Sequence, residues 1–166
     1  YILFLFFFSI SLLYLFTSLT PTLDGDSMYG YLSLAREYFI HNKIIPVDYY
    51  YGSIYPQNGQ LISTLGFLLG DQITAQLLVA WIMGILCCLV IFAISKTIAN
   101  TRAGLIAIII WYGTYSVAFI AQSAKVDLVW TFFDLLGIYT FMKWYFHSEN
   151  SQKEYWLFLS GLFLGI

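Results

Sequence analysis

Residues 72–95 read QITAQLLVAWIMGILCCLVIFAIS, twenty-four residues without a charged side chain. At a rise of about 1.5 Å per residue, a helix of this length crosses the roughly 30 Å hydrocarbon core of a bilayer. Asp71 directly precedes this run and is a predicted N-cap, because its carboxylate can accept hydrogen bonds from the first free amides. Four further segments share the apolar character: 1–20, 103–121, 128–146 and 155–166.

The composition of the whole chain agrees with a membrane environment. Of its 166 residues 60% are hydrophobic and only 10% are charged, and the mean hydropathy is +0.78. Soluble domains carry about 25% charged residues, so the polar residues here are too few to cover a surface. The net charge of -2 argues against nucleic acid as a partner, because no basic face is available to neutralise phosphates. We predict an all-α, polytopic transmembrane helix bundle.

The ends of the sequence indicate a piece of a longer protein. The chain begins at Tyr1 rather than Met and stops at Ile166 within a hydrophobic stretch. Residues 1–20 have no basic flank, and no small-residue cleavage site precedes Pro21, so a retained membrane helix is favoured over a signal peptide. Residues 1–166 are therefore predicted to be the N-terminal part of one transmembrane domain.

Basic residues set the predicted topology. The positive-inside tendency places the connections 95–102 and 147–154 in the cytoplasm. The loop 21–60 and the segment 122–127 then lie together on the outer face. The residues that carry this prediction are Lys96, Arg102, Lys143 and Lys153.

The outer loop contains a predicted amphipathic helix at 27–41, which we expect to lie flat at the membrane interface. A shorter apolar piece, Leu61–Leu69, is too short to span and is expected at the interface or partway into it. The helix 27–41 has apolar residues at Met28, Tyr31, Leu32, Ala35, Tyr38 and Phe39, and polar residues at Ser33, Arg36, Glu37 and His41.

Two carboxylates, Asp24 and Asp26, directly follow the first apolar segment. Helix capping explains them without any chemistry, and Asp26 is the better candidate for that role. Alternatively, carboxylates at the outer mouth of a helix bundle would meet a lipid-linked phosphosugar. Transfer of that sugar needs a base for the acceptor hydroxyl and positive charge for the departing phosphate.

Other polar residues are candidates for the same outer pocket. Lys125 and Asp127 fit donor binding, although a lysine that reaches the headgroups and an aspartate that caps a helix explain them as well. Asp134 lies seven residues after Asp127, and a carboxylate inside a span is expected to face the bundle interior. The stretch YPQNGQ offers sugar-binding groups or simple turn chemistry through Tyr55, Gln57, Asn58 and Gln60.

Several stretches together resemble a known family. PTLDGDSMYGYLSLA at 21–35, YPQNG at 55–59 and AKVDL at 124–128 occur in this order around the predicted helices. This arrangement is similar to the membrane glycosyltransferases of the GT-C superfamily. The branch that it resembles is the family 39-like one, which includes protein O-mannosyltransferases and lipid A aminoarabinose transferases.

The resemblance implies an inverting hexosyl- or pentosyltransferase that uses a polyprenyl-phosphate sugar and acts on the non-cytoplasmic face. The leading acid of the family's first outer loop, its catalytic base, matches Asp24. Gly25 separates Asp24 from Asp26 where many relatives have Asp followed directly by Glu, so Asp26 remains the alternative base. Lys125 would meet the donor phosphate and Asp127 would line the pocket.

No cofactor is identified, although a divalent metal is a candidate for assisting the departing phosphate. The acceptor, whether lipid, glycan or protein, is not indicated. The expected location is the plasma membrane of a prokaryote rather than the endoplasmic reticulum.

Two other classes use the same residues: a transporter or flippase of lipid-linked substrates, with Asp134 and Gln122 on its path, or a non-catalytic assembly subunit.

Overall fold

The computed structural model describes residues 1–54, 57–146 and 153–165, and every regular element within them is helical, as predicted. A π-helical turn at Asp26–Leu32 directly precedes the helix Ser33–His41, and another at Leu78–Ile82 lies within the helix Gln72–Ile98. Tyr51–Ile54 forms a short 3₁₀ turn. The helices are α1 (Ile2–Ser18), α2 (Ser33–His41), α3 (Asn58–Leu69), α4 (Gln72–Ile98), α5 (Thr101–Tyr112), α6 (Tyr115–Ile120), α7 (Asp127–Phe146) and α8 (Lys153–Leu164).

Helix α4 is the central element. The predicted cap at its start is confirmed, because Asp71 Oδ1 accepts a hydrogen bond of 2.9 Å from the Thr74 amide. With 27 residues, α4 is the one helix in the described ranges that is both long enough and apolar enough to cross a membrane. The apolar helices α1 and α5 have only 17 and 12 residues.

The core follows α4 along its length in two clusters. The first joins the start of α4 to the π-turn at 26–32 and to the start of α7, and the second joins its middle to α1, α5 and α7. The buried members of the first are Leu32, Ala75, Val79, Ala124 and Val129, and those of the second are Tyr14, Cys88, Ile108, Tyr112, Ala121 and Leu128.

Helix α3 folds back against the start of α4. A Cβ atom added at Gly66 would lie 2.3 Å from the Cα of Ala75, so only glycine permits this crossing. Small residues at a contact let two helix backbones approach closely. The apolar piece predicted at 61–69 is therefore a helix that lines the bundle.

The segment predicted as one helix at 103–121 is divided, which corrects that prediction. Helix α5 closes at Gly113, whose amide donates to the Ile109 carbonyl. Thr114 is extended, with φ -67° and ψ 134°, so the chain changes direction before α6 begins. Apolar composition alone could not reveal this break.

The helix predicted at 27–41 forms, and Leu32, Ala35 and Tyr38 of its predicted apolar face are buried. Leu34 is fully buried, whereas Met28 and Phe39 are exposed. The helical segment begins with a π-helical turn at Asp26–Leu32. The helix also packs against α3, where the Phe39 and Phe67 rings stack with centroids 6.1 Å apart.

Candidate functional site

The acidic loop after α1 places its two carboxylates differently. Asp24 Oδ2 accepts hydrogen bonds from the Ser27 amide (3.0 Å) and the Ser27 hydroxyl (2.8 Å), which holds it at the start of the helical segment. The Asp24 side chain is 21% exposed, whereas that of Asp26 is 75% exposed. The capping contacts expected of Asp26 are thus made by Asp24.

Lys125 joins both carboxylates from a distant part of the chain. Its Nζ lies 3.1 Å from Asp26 Oδ2, to which it donates a hydrogen bond, and 3.7 Å from Asp24 Oδ2. The ammonium also lies over the Phe119 ring, 5.4 Å from its centroid. The loop after α1 and the segment before α7 therefore meet at one end of the molecule.

The pKa values of Asp24 and Lys125 shift in the directions that favour their charged forms. Partial burial raises the pKa of Asp24, but the Ser27 hydrogen bonds and the charge of Lys125 outweigh it and bring that pKa below its ordinary value. Burial likewise lowers the pKa of Lys125, but Asp26 and Asp24 outweigh it and raise that pKa. Both groups are ionised at neutral pH.

A cleft of about 460 Å³ opens beside Asp24. Its wall on one side is the chain from Thr17 to Asp24, and on the other it is Phe119, Gln122 and Ser123. Most of this lining is apolar, but three threonine hydroxyls and the Gln122 amide add polar groups suited to sugar hydroxyls. The sequence analysis did not single out the hydroxyls that supply them: Thr17, Thr20 and Thr22.

Asp127 lies in the first turn of α7, close enough to raise the pKa of Lys125 through its charge. Its Oδ2 atom is buried and has no hydrogen-bond partner among the described residues. Tyr31, which the sequence analysis placed on an apolar face, lies near the same charges. Burial raises the pKa of Tyr31 most, and the charges of Asp127 and Asp26 add to that rise.

The chain at Gln57 and Asn58 reaches the same region. Gln57 Nε2 donates a 2.7 Å hydrogen bond to the Gly52 carbonyl, and Asn58 begins α3. A Cβ added at Gly59 would lie 2.4 Å from the Val126 Cβ, so α3 starts directly against the Lys125–Asp127 segment. Tyr55 lies outside the described residues.

Two further expectations concern Asp134 and the metal. Asp134 was expected to face the interior, but its side chain is exposed. The residues that α7 buries lie on other sides of the helix: Leu128, Val129, Gly137 and Thr140. The described ranges contain no group of three or more His, Cys, Asp or Glu side chains that could hold a metal ion. Between Asp24 and Asp26 the positive charge comes from Lys125.

Comparison with models of known protein families identifies a relationship for most of the chain. The family model described as dolichyl-phosphate-mannose-protein mannosyltransferase matches residues 56–166, about two thirds of the chain. The matched region includes Lys125 and Asp127, whereas Asp24 and Asp26 precede it. No curated protein and no solved structure matches the chain.

Proposed function

Because the chain belongs to the dolichyl-phosphate-mannose-protein mannosyltransferase family of membrane glycosyltransferases, we propose that it transfers a sugar from a polyprenyl-phosphate donor to an acceptor hydroxyl. The transfer takes place on the non-cytoplasmic face and inverts the anomeric carbon. The observation that carries this proposal is the pairing of Lys125 with Asp24 beside the cleft.

Asp24 is the proposed base. All of its side-chain contacts within the described residues fall on Oδ2, so Oδ1 is left to accept a proton. The acceptor oxygen loses its proton to Oδ1 and forms a bond to the anomeric carbon. The bond between that carbon and the phosphate oxygen breaks, and the lipid phosphate leaves with the electron pair.

Lys125 is the proposed partner of the phosphate, because an ammonium stabilises the negative charge that develops on the leaving group. A phosphate that draws Lys125 away from Asp24 also removes one cause of the low pKa of that carboxylate. Donor binding would therefore make Asp24 a stronger base. The cleft hydroxyls, Asp127 and the turn with Gln57 and Asn58 are proposed to contact the sugar.

The proposed setting is a polytopic helix bundle, of which residues 1–166 form the N-terminal part. Its apolar outer surface supports this, since Phe4, Phe6, Phe8 and Phe16 of α1 are each more than half exposed. In a bilayer these side chains meet lipid rather than water.

The test replaces Asp24 by Asn and measures transfer from a labelled polyprenyl-phosphate sugar by the full-length protein in liposomes. Asn still accepts the Ser27 hydrogen bonds but cannot act as base, so transfer should fall about 10²–10⁴-fold. Asp71→Asn is the matched control, because Asp71 makes the same pair of contacts with Thr74, at 2.9 and 3.1 Å, away from the Lys125 pair.

Asp26→Asn separates the two carboxylates. Its exposed ion pair is worth at most about 1 kcal/mol, so transfer should fall by no more than about fivefold. A larger loss for Asp26→Asn than for Asp24→Asn would assign the base to Asp26. Unchanged transfer in both variants would remove the proposed mechanism, and transport of a lipid-linked substrate by them would support the transporter alternative.

A further inference from the structure

Gln76 is a fully buried polar side chain inside the apolar central helix α4. Its Oε1 accepts a 3.1 Å hydrogen bond from the Thr22 amide. Its Nε2 lies 3.1 Å from the Ser18 carbonyl, 3.0 Å from that of Thr20 and 3.3 Å from that of Gln122. One amide group thus contacts four backbone groups that all lie outside its own helix.

The four contacts belong to the two walls of the cleft. Ser18, Thr20 and Thr22 are in the chain that leads to Asp24, and Gln122 is three residues before Lys125. Gln76 does not line the cleft; it lies behind both walls and joins them. The amide group supplies two N–H donors and one carbonyl acceptor at a single side-chain end, which suits this arrangement.

We propose that Gln76 is a positioning residue that fixes the separation of the two chain segments that carry Asp24 and Lys125, and thereby the geometry of the sugar-transfer site; this rests on the proposed function. Asp24 depends on the wall held at Thr22, because its own amide donates to the Thr22 hydroxyl at 3.3 Å. Lys125 follows the opposite wall, three residues after the Gln122 carbonyl that Gln76 contacts.

Position matters at this site because the proposed reaction needs a base and a cation at fixed distances from one anomeric carbon. A misplacement of about 1 Å can lower a rate about 10²-fold. A second bond, from the Ser18 hydroxyl to the Ala121 carbonyl at 3.0 Å, joins the same two walls. The walls therefore stay connected when Gln76 is changed, but they lose the contacts nearest to Asp24.

The first test measures the separation of the walls directly. Spin labels are placed at two exposed positions in the full-length protein without substrate: Leu23, in the first wall, and Tyr115, one turn before the Phe119 of the second wall on α6. In Gln76→Met, which keeps length and volume but has no amide, the distance distribution should broaden. Gln76→Asn is the milder variant: its amide is one methylene shorter, so it can bond one wall and not both, and the distribution should also broaden.

Ser160→Ala is the matched control. It removes a buried side-chain-to-backbone hydrogen bond, 2.9 Å from Ser160 Oγ to the Gly137 carbonyl, between α7 and α8 and away from the cleft. The distance between labels at Leu23 and Tyr115 should not change in this variant. An unchanged distance distribution in both Gln76 variants would overturn the proposal.

The second test asks whether Gln76 acts through the charged pair. Gln76→Met should lower sugar transfer about 10–100-fold. In a Lys125→Met background, the same change should cause a further loss of less than about threefold, because groups that act as a unit are not additive. Losses that multiply fully in the double variant, or normal transfer in Gln76→Met despite a broadened distribution, would overturn it.

The two measurements fail separately. If the wild-type protein transfers no sugar, the proposed function falls, whereas the spin-label distances still decide whether Gln76 holds the two walls together.

Discussion

The two ends of helix α4 differ in how their polar residues are held. At its start, Gln76 is buried and bonds to distant loops, and nearby Lys125 pairs with two carboxylates. At its end, Lys96 and Arg102 are exposed and form no ion pair within the described residues. The hydrogen bonds there are local, such as the Asn100 side chain accepting from the Ala103 amide.

This difference distinguishes a set of long-range contacts, at the start of α4, from an ordinary connection between two helices, at its end. Exposed charges and local caps suffice to end one helix and begin the next. Long-range hydrogen bonds from buried side chains cost desolvation and are kept where positions must be fixed. We therefore expect chemistry at the Asp24 end of α4 and only topological information at the Lys96 end.

The largest expected effect is labelling at one end of α4 and no labelling at the other, which tests the side of the membrane that each end faces. An impermeant thiol reagent added outside should label Leu23→Cys and Ile54→Cys, both at exposed positions near the site, but not Thr97→Cys at the opposite end. The basic residues of the 95–102 connection are the reason for this orientation. Labelling of Thr97→Cys alone in sealed cells would show that the predicted topology is inverted and that the site faces the cytoplasm.

The next effect concerns the cation at the site. Lys125→Met should weaken apparent donor affinity about 10–100-fold, because hydrogen bonds to charged groups are worth about 1.5–3 kcal/mol. Lys96→Met removes an exposed lysine at the other end and should leave the donor KM unchanged. Equal effects of the two substitutions in the transfer assay would erase the distinction between the ends.

A steric test addresses the contact that brings α3 to the site. Gly59→Ala should lower the free energy of unfolding by about 1–3 kcal/mol, because the new methyl group overlaps the Val126 side chain. Val126→Ala in the same protein should restore only a small part of that loss in thermal unfolding, because it removes the two Cγ methyl groups but keeps the Cβ that lies 2.4 Å from the new methyl group. Gly161→Ala, which has open space around its Cβ position, is the control. A Gly59→Ala protein as stable as the wild type would contradict the contact.

The smallest effect is a shift in pH dependence. Burial raises the pKa of Asp24, but Ser27 and Lys125 together lower it further. A base must be ionised, so transfer should fall as the pH drops through this lowered pKa. In Lys125→Met one lowering cause is gone, and the acidic limb of the pH profile of kcat/KM, which reports the free enzyme, should move to higher pH. Lys125→Arg keeps the charge and should show little movement; the same limb in all three proteins would exclude electrostatic coupling.

Much of the fold follows from local sequence. The uncharged run at 72–95 and the acid before it predict α4 and its cap, because hydrophobic length and capping depend on neighbours along the chain. The break at Gly113-Thr114 was missed, since an apolar run with one glycine has the same composition whether the helix continues or stops. The π-helical turn at Asp26–Leu32 was also missed, since the same residues fit an α-helical turn equally well.

The sequence by itself determined that the chain is helical and apolar. It also singled out three acidic residues and one lysine as site candidates: Asp24, Asp26, Asp127 and Lys125. Only the tertiary structure decided which carboxylate is enclosed, which of them bonds Ser27, and that Tyr31 lies beside the charges. The physical reason is the range of the interactions. Periodicity and capping act over a few residues, whereas the ion pairs and the Gln76 contacts join segments that only folding brings together.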